Sequence, residues 1–435
     1  MSFSKGIKMA KRQISNLDLK VKLTREYLDN GGVQKIMFKD LLEDLAKVKP
    51  GQDGKTDPDT VSTSVNAFML TILADQLQPP FYSPQHISEY KSTLQKSNSF
   101  DQENIDTEEQ FDKIYEEYKD KTDFLFRGQR EAKWRLYSKL QRHWIFEKFF
   151  EKPDTYQAFL ERLIENGRKD FGDQILQLLE EKHIDADNDI SVLSYLQHHG
   201  CPTPLLDWTY KFQNALFFSI DGVDVNERKR EIDDYCSVYF IEERYFENGS
   251  MRKLIEDSIE NMQEEMLLKE ISQIAEDEEM KKQMVEKFNG RKIIDLKRIK
   301  GSGLITHLTQ MKHMITFPAT YFCDKDTDAD IVFSLNNSKN ILNQAGVFTW
   351  NANEAKPFEM VVSEQNQLSD GKEIDITKPY ILCTCFNINK KLADYVRKRL
   401  EADGITRELI YPTPDISTRD VFEKSKSGIF KSNSW

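Results

Sequence analysis

The stretch Phe124-Leu-Phe-Arg-Gly-Gln129, FLFRGQ, sets how the neighbouring chain is read. Its apolar start, Phe124 to Phe126, is short and aromatic, which predicts a strand. An arginine follows at once, then glycine and glutamine. Such an arginine is either a structural partner of a buried carboxylate, with Asp207 the candidate, or the first residue of a site. Upstream, Glu108 to Asp120 reads as an amphipathic helix with Phe111, Ile114, Tyr115 and Tyr118 on one face. Downstream, Trp134, Leu136, Leu140 and Trp144 alternate with basic residues. A helical region then runs to about Lys182, with Phe159, Leu160, Leu163, Ile164, Phe171 and Ile175 in its stripe.

A second unusual segment is Leu193-Ser-Tyr-Leu-Gln-His-His-Gly-Cys-Pro-Thr-Pro-Leu-Leu-Asp-Trp-Thr209. Leu193 to His199 reads as a helix end stopped by Gly200, and Pro202 and Pro204 force an extended crossing. Leu205-Leu206 is a buried pair. Asp207 or Thr209 is placed to cap a following helix that turns Ala215, Leu216 and Phe218 inward. Two of the seven histidines, His198 and His199, are adjacent here. Each reads equally as packing or as a proton-handling group.

Elsewhere, residues 1–100 read as a separate helical region, with a loop at Lys49–Lys55 and a stop at Pro79-Pro80. Ser92 to Thr107 is polar and reads as a linker. Residues 251–289 carry the clearest helical stripe, Ile255, Ile259, Met262, Met266, Ile271 and Ile274, with Gly290 as the cap. That stripe reads as a helical arm inserted at about 245–300. Five later stretches read as strands: Ser237–Ile241, Ala329–Phe333, Gly346–Trp350, Phe358–Val362 and Tyr380–Phe386. A helix from about Asn389 to Ala402 ends before Gly404. The expected fold is α+β: a mixed or antiparallel sheet with helices around it, a helical N-terminal region and an inserted helical arm.

The chain has 435 residues, enough for more than one domain. No run approaches the roughly 18 apolar residues of a membrane span, and the N-terminus lacks the apolar centre of a secretory signal. The five cysteines, 201, 236, 323, 383 and 385, form no CxxC. They read as reduced thiols of a cytoplasmic protein with no metal site. A net charge of −12 argues against a general nucleic-acid coat. Residues 1–50 run against that trend, with eleven Lys/Arg and six Asp/Glu. They are either a solvated arm or a contact for RNA, DNA or an acidic partner.

GxxxxGK[ST], GxGxxG, HExxH and GxSxG are all absent, which sets aside P-loop, Rossmann, zincin and α/β-hydrolase chemistry. The two unusual segments, taken together, resemble the FRG-domain family. FRGQ is followed by Trp134, Leu136, Leu140 and Arg142. Gln197, His198, His199, Gly200, Pro202, Thr203 and Leu205–Thr209 match its next motif, with Ala215, Leu216 and Phe218 after it. Asn337, Gln344, Gly346 and Phe348 resemble a third element, and Gly404-Ile405 to Pro412 the closing one. Pro204 and Lys339 stand where the family often has arginine, and Thr413 replaces an aspartate. The resemblance spans about 124–420, so the chain is read as an N-terminal region 1–100 and an FRG domain 101–435.

The family implies a prokaryotic setting in defence or toxin systems, and a toxic enzyme implies a neutralising antitoxin or inhibitor protein. The layout also resembles ADP-ribosyltransferases, in which an early strand arginine holds NAD and a late strand carries a glutamate. That resemblance implies NAD as substrate and ADP-ribosylation of an RNA or protein target. Arg127 would be the fork for the pyrophosphate, with Gly128, Gln129 and Thr209 beside it. Trp208 or Tyr210 would stack on nicotinamide. Gln344 falls where the glutamate is expected, and His198, His199, Asp207, Glu354, Glu359 or Glu364 would supply the missing charge or base. Two other readings remain open: a His-assisted nuclease using His198, His199 and Asp207, and a non-enzymatic binding module in which Arg127, Trp208 and Gln344 are structural.

Overall fold

In a computed structural model of the chain, the described residues are 83–181, 188–223, 225, 230–246, 268–269, 271–273, 275, 277–288, 310–322, 339–369, 381–412 and 417–426. The expected N-terminal helices, the strand at Ala329–Phe333, Gly290 and most of the 251–289 stripe lie outside them. Within that stripe, Glu278–Phe288 is a helix.

Seven strands form one mixed sheet: β1 (Phe100–Ile105), β2 (Phe124–Gln129), β3 (Leu205–Thr209), β4 (Tyr235–Glu242), β5 (Ala319–Phe322), β6 (Gly346–Asn351) and β7 (Cys383–Asn389). Their order is β1-β7-β4-β2-β3-β6-β5. The β1–β7 pair is parallel and every other pair is antiparallel. The expected α+β class, with a mixed sheet and surrounding helices, is the observed one.

The helices that matter below are α1 (Thr93–Lys96), α2 (Glu108–Tyr118), α3 (Lys139–Phe146), α4 (Tyr156–Glu181), α5 (Asp189–His198), α6 (Phe212–Ile220), α7 (Lys339–Gln344), α8 (Phe358–Ser369), α9 (Ala393–Ala402) and α10 (Arg419–Lys426). Local sequence explains their starts. Thr107 and Gln110 form a reciprocal capping box at α2, and Ser138 and Gln141 form another at α3. Gly200 (φ 93°) and Gly404 (φ 76°) stop α5 and α9 in backbone conformations that L-residues rarely adopt.

Period-two alternation sends the strand residues to two faces. Phe126, Val238, Phe240, Phe386 and Ile388 meet α2, α6 and α9. There Phe240 stacks on Phe386 at 4.6 Å and Phe126 lies 5.3 Å from Phe212. Leu125, Tyr239, Trp208, Val347, Cys383 and Cys385 build the opposite core with Phe358, Val361 and Val362 of α8. Helices α3, α4, α5 and α10 bury a third core against Leu205, Phe348 and Trp350.

Two expectations are corrected. Ser92–Thr107 is not a linker: it holds α1 and the edge strand β1. Its polarity misleads because the polar residues are satisfied inside. Asn387 donates to Gln102 at 2.8 Å and to Asn104 at 3.0 Å, and Lys96, fully buried, donates to Ser237 and Asn387. Phe358–Val362 is not a strand: it opens α8. Pro357 sits just before its first turn, and Phe358, Val361 and Val362 are buried at helical spacing.

The feature that positions the site is a split in the sheet. Strands β2 and β3 share a single register pair, Phe126 with Thr209. By contrast, β2 pairs with β4 along all six residues of β2.

Candidate anion-binding cleft

Arg127 bridges that split. Its Nη1 donates to the main-chain carbonyl of Asp207 at 2.6 Å, where a continued ladder would place a backbone amide. The guanidinium thus holds the backbone of Asp207 and does not form a hydrogen-bonded pair with its carboxylate. Its Nε is buried and has no hydrogen-bond partner. Burial lowers the pKa of Arg127, while Asp207 and Tyr239 act in the opposite direction.

Gly128 has a different task. A Cβ there would lie 1.9 Å from the carbonyl oxygen of Ala215 and 2.7 Å from the amide of Ser219. Helix α6 therefore crosses directly over β2, and only glycine permits the approach. Gln129 is buried; its Nε2 reaches the Arg135 carbonyl at 3.5 Å, and its Oε1 has no partner.

The Asp207 carboxylate is held from the other side. Gln197 Nε2 donates to both of its oxygens, at 3.0 and 2.9 Å. Thr203 in turn donates its hydroxyl to Gln197 Oε1, which fixes which way the amide points. Thr203, Gln197 and Asp207 thus form one relay across the end of α5, the extended crossing and β3. Its far end is an oriented carboxylate.

Two more cations, Arg142 and Lys139, gather around that carboxylate, and Arg130 stands beside Arg142. Arg142, on α3, has its pKa pulled down to about 10 by burial, then by the charges of Arg127 and Arg130, with Asp207 opposing. Arg130 and Arg142 place their guanidinium carbons 6.0 and 5.9 Å from the Trp134 ring. Lys139 donates to the Gly200 carbonyl at 2.9 Å; burial and then Arg419 lower its pKa, while Asp207 raises it. Among the described residues, neither Arg127, Arg130, Arg142 nor Lys139 has an ion-pair partner within 4.0 Å. One carboxylate, already engaged by a neutral amide, faces Arg127, Arg142 and Lys139, with Arg130 beside Arg142.

His198 lies at the edge of this cleft, its ring 5.0 Å from Phe348. Its Nε2 is buried without a partner, and burial pulls its pKa down to about 4, Asp207 opposing and His199 adding to the effect. The imidazole is therefore neutral at pH 7. His199 turns away, packing on Tyr195 at 4.6 Å.

Residues 122–228 match the family model of the FRG domain. The chain carries an FRG domain. No curated protein and no solved structure was found to match the chain. The FRG domain match covers β2, α3 to α5, β3 and α6, and so Arg127, Arg130, Trp134, Lys139, Arg142, Gln197, His198, Thr203 and Asp207.

Other residues singled out from the sequence do not join the cleft. Trp208 is 2% exposed; its indole N–H donates to Thr349 Oγ1 at 3.1 Å, and its ring packs on Phe246. It is a core residue of the FRG domain and offers no stacking face. Tyr210 is tied through its hydroxyl to Glu243 and Tyr321. Gln344 is on no strand: it ends α7, before Ala345 (φ 48°) turns the chain into β6. Its side chain donates to the Ile410 carbonyl at 3.1 Å, and its own carbonyl receives Thr209 Oγ1 at 2.6 Å and Asn214 Nδ2 at 2.8 Å. Thr209 and Gln344 are therefore stitches between β3, α6 and α7. Glu359 forms a buried pair with Arg135 at 2.8 Å, Glu364 pairs with Lys356, and Glu354 is exposed. Asp207 is the carboxylate that the described residues bring to Arg127.

The sequence pattern named Trp134, Arg142, Gln197 and Thr203 only as motif letters, and it passed over Arg130 and Lys139. Their signal was the density of basic residues between Arg127 and Arg142 in a chain of net charge −12.

Proposed function

We propose that the FRG domain binds a phosphate-bearing ligand in this cleft, and that the ligand is NAD, whose ADP-ribose is transferred to a macromolecule in a toxin or phage-defence role. The observation that carries the reading is the set of three cations, Arg127, Arg142 and Lys139, without ion-pair partners among the described residues, around one oriented carboxylate at a split in the sheet. Three properties of the cleft fit a pyrophosphate: guanidinium forks, an Arg127 Nε with no protein acceptor, and arginines whose mutual repulsion an anion relieves. Arg127 and Arg142 would take the pyrophosphate.

Transfer breaks the bond between C1′ of the ribose and the nicotinamide nitrogen. The electron pair leaves with nicotinamide, and the acceptor then bonds to C1′ and loses its proton. Asp207, in place of Gln344, is the anion available to face the developing positive charge. The relay through Gln197 and Thr203 keeps it aimed. A nuclease using His198 as general acid is disfavoured, because an imidazole with a pKa near 4 carries no proton to donate at neutral pH.

The test is incubation of purified protein with NAD labelled in its adenylate portion and with cellular RNA and protein, beside Arg127→Ala and Asp207→Asn. Label transfer and nicotinamide release by the wild type, lost in both folded variants, are expected. Unchanged transfer by Arg127→Ala would sink the assignment.

A further inference from the structure

We infer that the outer rim of this cleft, Arg130, Trp134 and Lys139, docks a single-stranded nucleic acid. The inference rests on the proposed transferase activity only for what the strand is used for, namely as the acceptor. Net charge gives no reason to expect such a ligand, since the chain is at −12. The rim is a local reversal of that charge. Arg130 is exposed and Trp134 is half-buried, so both can be reached from solvent.

The guanidinium carbon of Arg130 lies 6.0 Å from the centre of the Trp134 ring, so an aromatic surface and an exposed phosphate fork are offered together. Lys139 extends the positive charge along α3 towards Gly200. An aromatic stacking surface beside guanidinium and ammonium groups is the combination that holds unpaired bases and their backbone. A protein surface supplies carboxylates for such cations, but few flat bases for the indole. A duplex hides its base faces in the stack. The deeper pair, Arg127 and Arg142, stays with the pyrophosphate, so the two ligands use adjacent and separate groups.

The experiment is fluorescence anisotropy with fluorescein-labelled 12-nucleotide RNA and DNA of the same sequence, single-stranded and duplex, at several salt concentrations. Two phosphate contacts, to Arg130 and Lys139, give a slope of about −1.4 in log affinity against log salt, so affinity falls roughly fivefold from 50 to 150 mM. Trp134→Ala should weaken binding about tenfold while leaving the slope unchanged. Arg130→Glu, at an exposed position, should weaken binding and flatten the slope by about 0.7 or more. The duplex should bind more weakly than either strand. Absence of salt-dependent binding to both strands, or binding indifferent to both substitutions, overturns the inference.

Nicotinamide release from NAD, measured on the same preparations, separates the two readings. Nicotinamide release by the wild type, together with strand binding that Trp134→Ala weakens about tenfold, supports both. Strand binding without NAD turnover removes the transferase and keeps the docking surface.

Discussion

Replacing Gly128 with alanine should dismantle the fold, whereas replacing its neighbour Arg127 with alanine should not. The added methyl at position 128 meets backbone on both contacts, 1.9 Å from the Ala215 oxygen and 2.7 Å from the Ser219 nitrogen, against the 3.4 Å of ordinary contact. Helix α6 would have to withdraw by well over an ångström. It is not free to do so. Asn214 donates to the carbonyls of Asn343 and Gln344, Tyr210 donates its amide to Ala345, and Phe212, Ala215 and Leu216 are fully buried. Overpacking against fixed backbone belongs at the severe end of its range, at least about 3 kcal/mol, or about 3–5 °C in Tm for a chain of this length. Removing the Arg127 side chain forfeits one hydrogen bond, to the Asp207 carbonyl, and should cost about 1–2 kcal/mol. Thermal and urea unfolding followed by circular dichroism distinguish the two. A Gly128→Ala protein that melts within about 1 °C of the wild type, with an unchanged urea midpoint, would refute the packing account.

Three further outcomes are expected. Glu359→Ala strands the buried Arg135 guanidinium and also removes the acceptor of Tyr90 Oη and the Leu136 amide; urea titration should show a loss of about 3–5 kcal/mol. His198 has a folded pKa near 4 against an ordinary 6.5, so the unfolded chain takes up its proton first as pH falls. Its stabilising share is therefore complete above about 6.5, is lost between about 6.5 and 4, and amounts to roughly 2–3 kcal/mol. His198→Phe should flatten that part of the stability profile, and NMR of the imidazole should show no titration above pH 5. Thr203→Val frees the Gln197 amide to rotate, so nicotinamide release should fall about tenfold or more with NAD binding nearly unchanged, a split in kcat that calorimetry of NAD binding can check.

The sequence by itself determined the local elements whose signals are local. The helix from Glu108, the stop at Gly200 and the strands at Phe124 and Gly346–Trp350 were all legible, because helical stripes, turns and aromatic or β-branched runs act over a few residues. So was the pair of motifs that mark the FRG domain. Signals that depend on a distant partner were not. Phe100–Ile105 looked like a linker until Asn387 satisfied its polar side chains, and Phe358–Val362 looked like a strand until α8 closed over the sheet.

Tertiary structure alone decided the site. It sent Trp208 into the core and turned Gln344 into a stitch, although both stand in motif positions. It joined Thr203, Gln197 and Asp207 into one relay and brought Arg127, Lys139 and Arg142 to the same carboxylate. The reason is physical. A side chain's chemistry is written in the sequence, but its partner is set by which strands part and which helix crosses the gap, and here that turns on one glycine under α6.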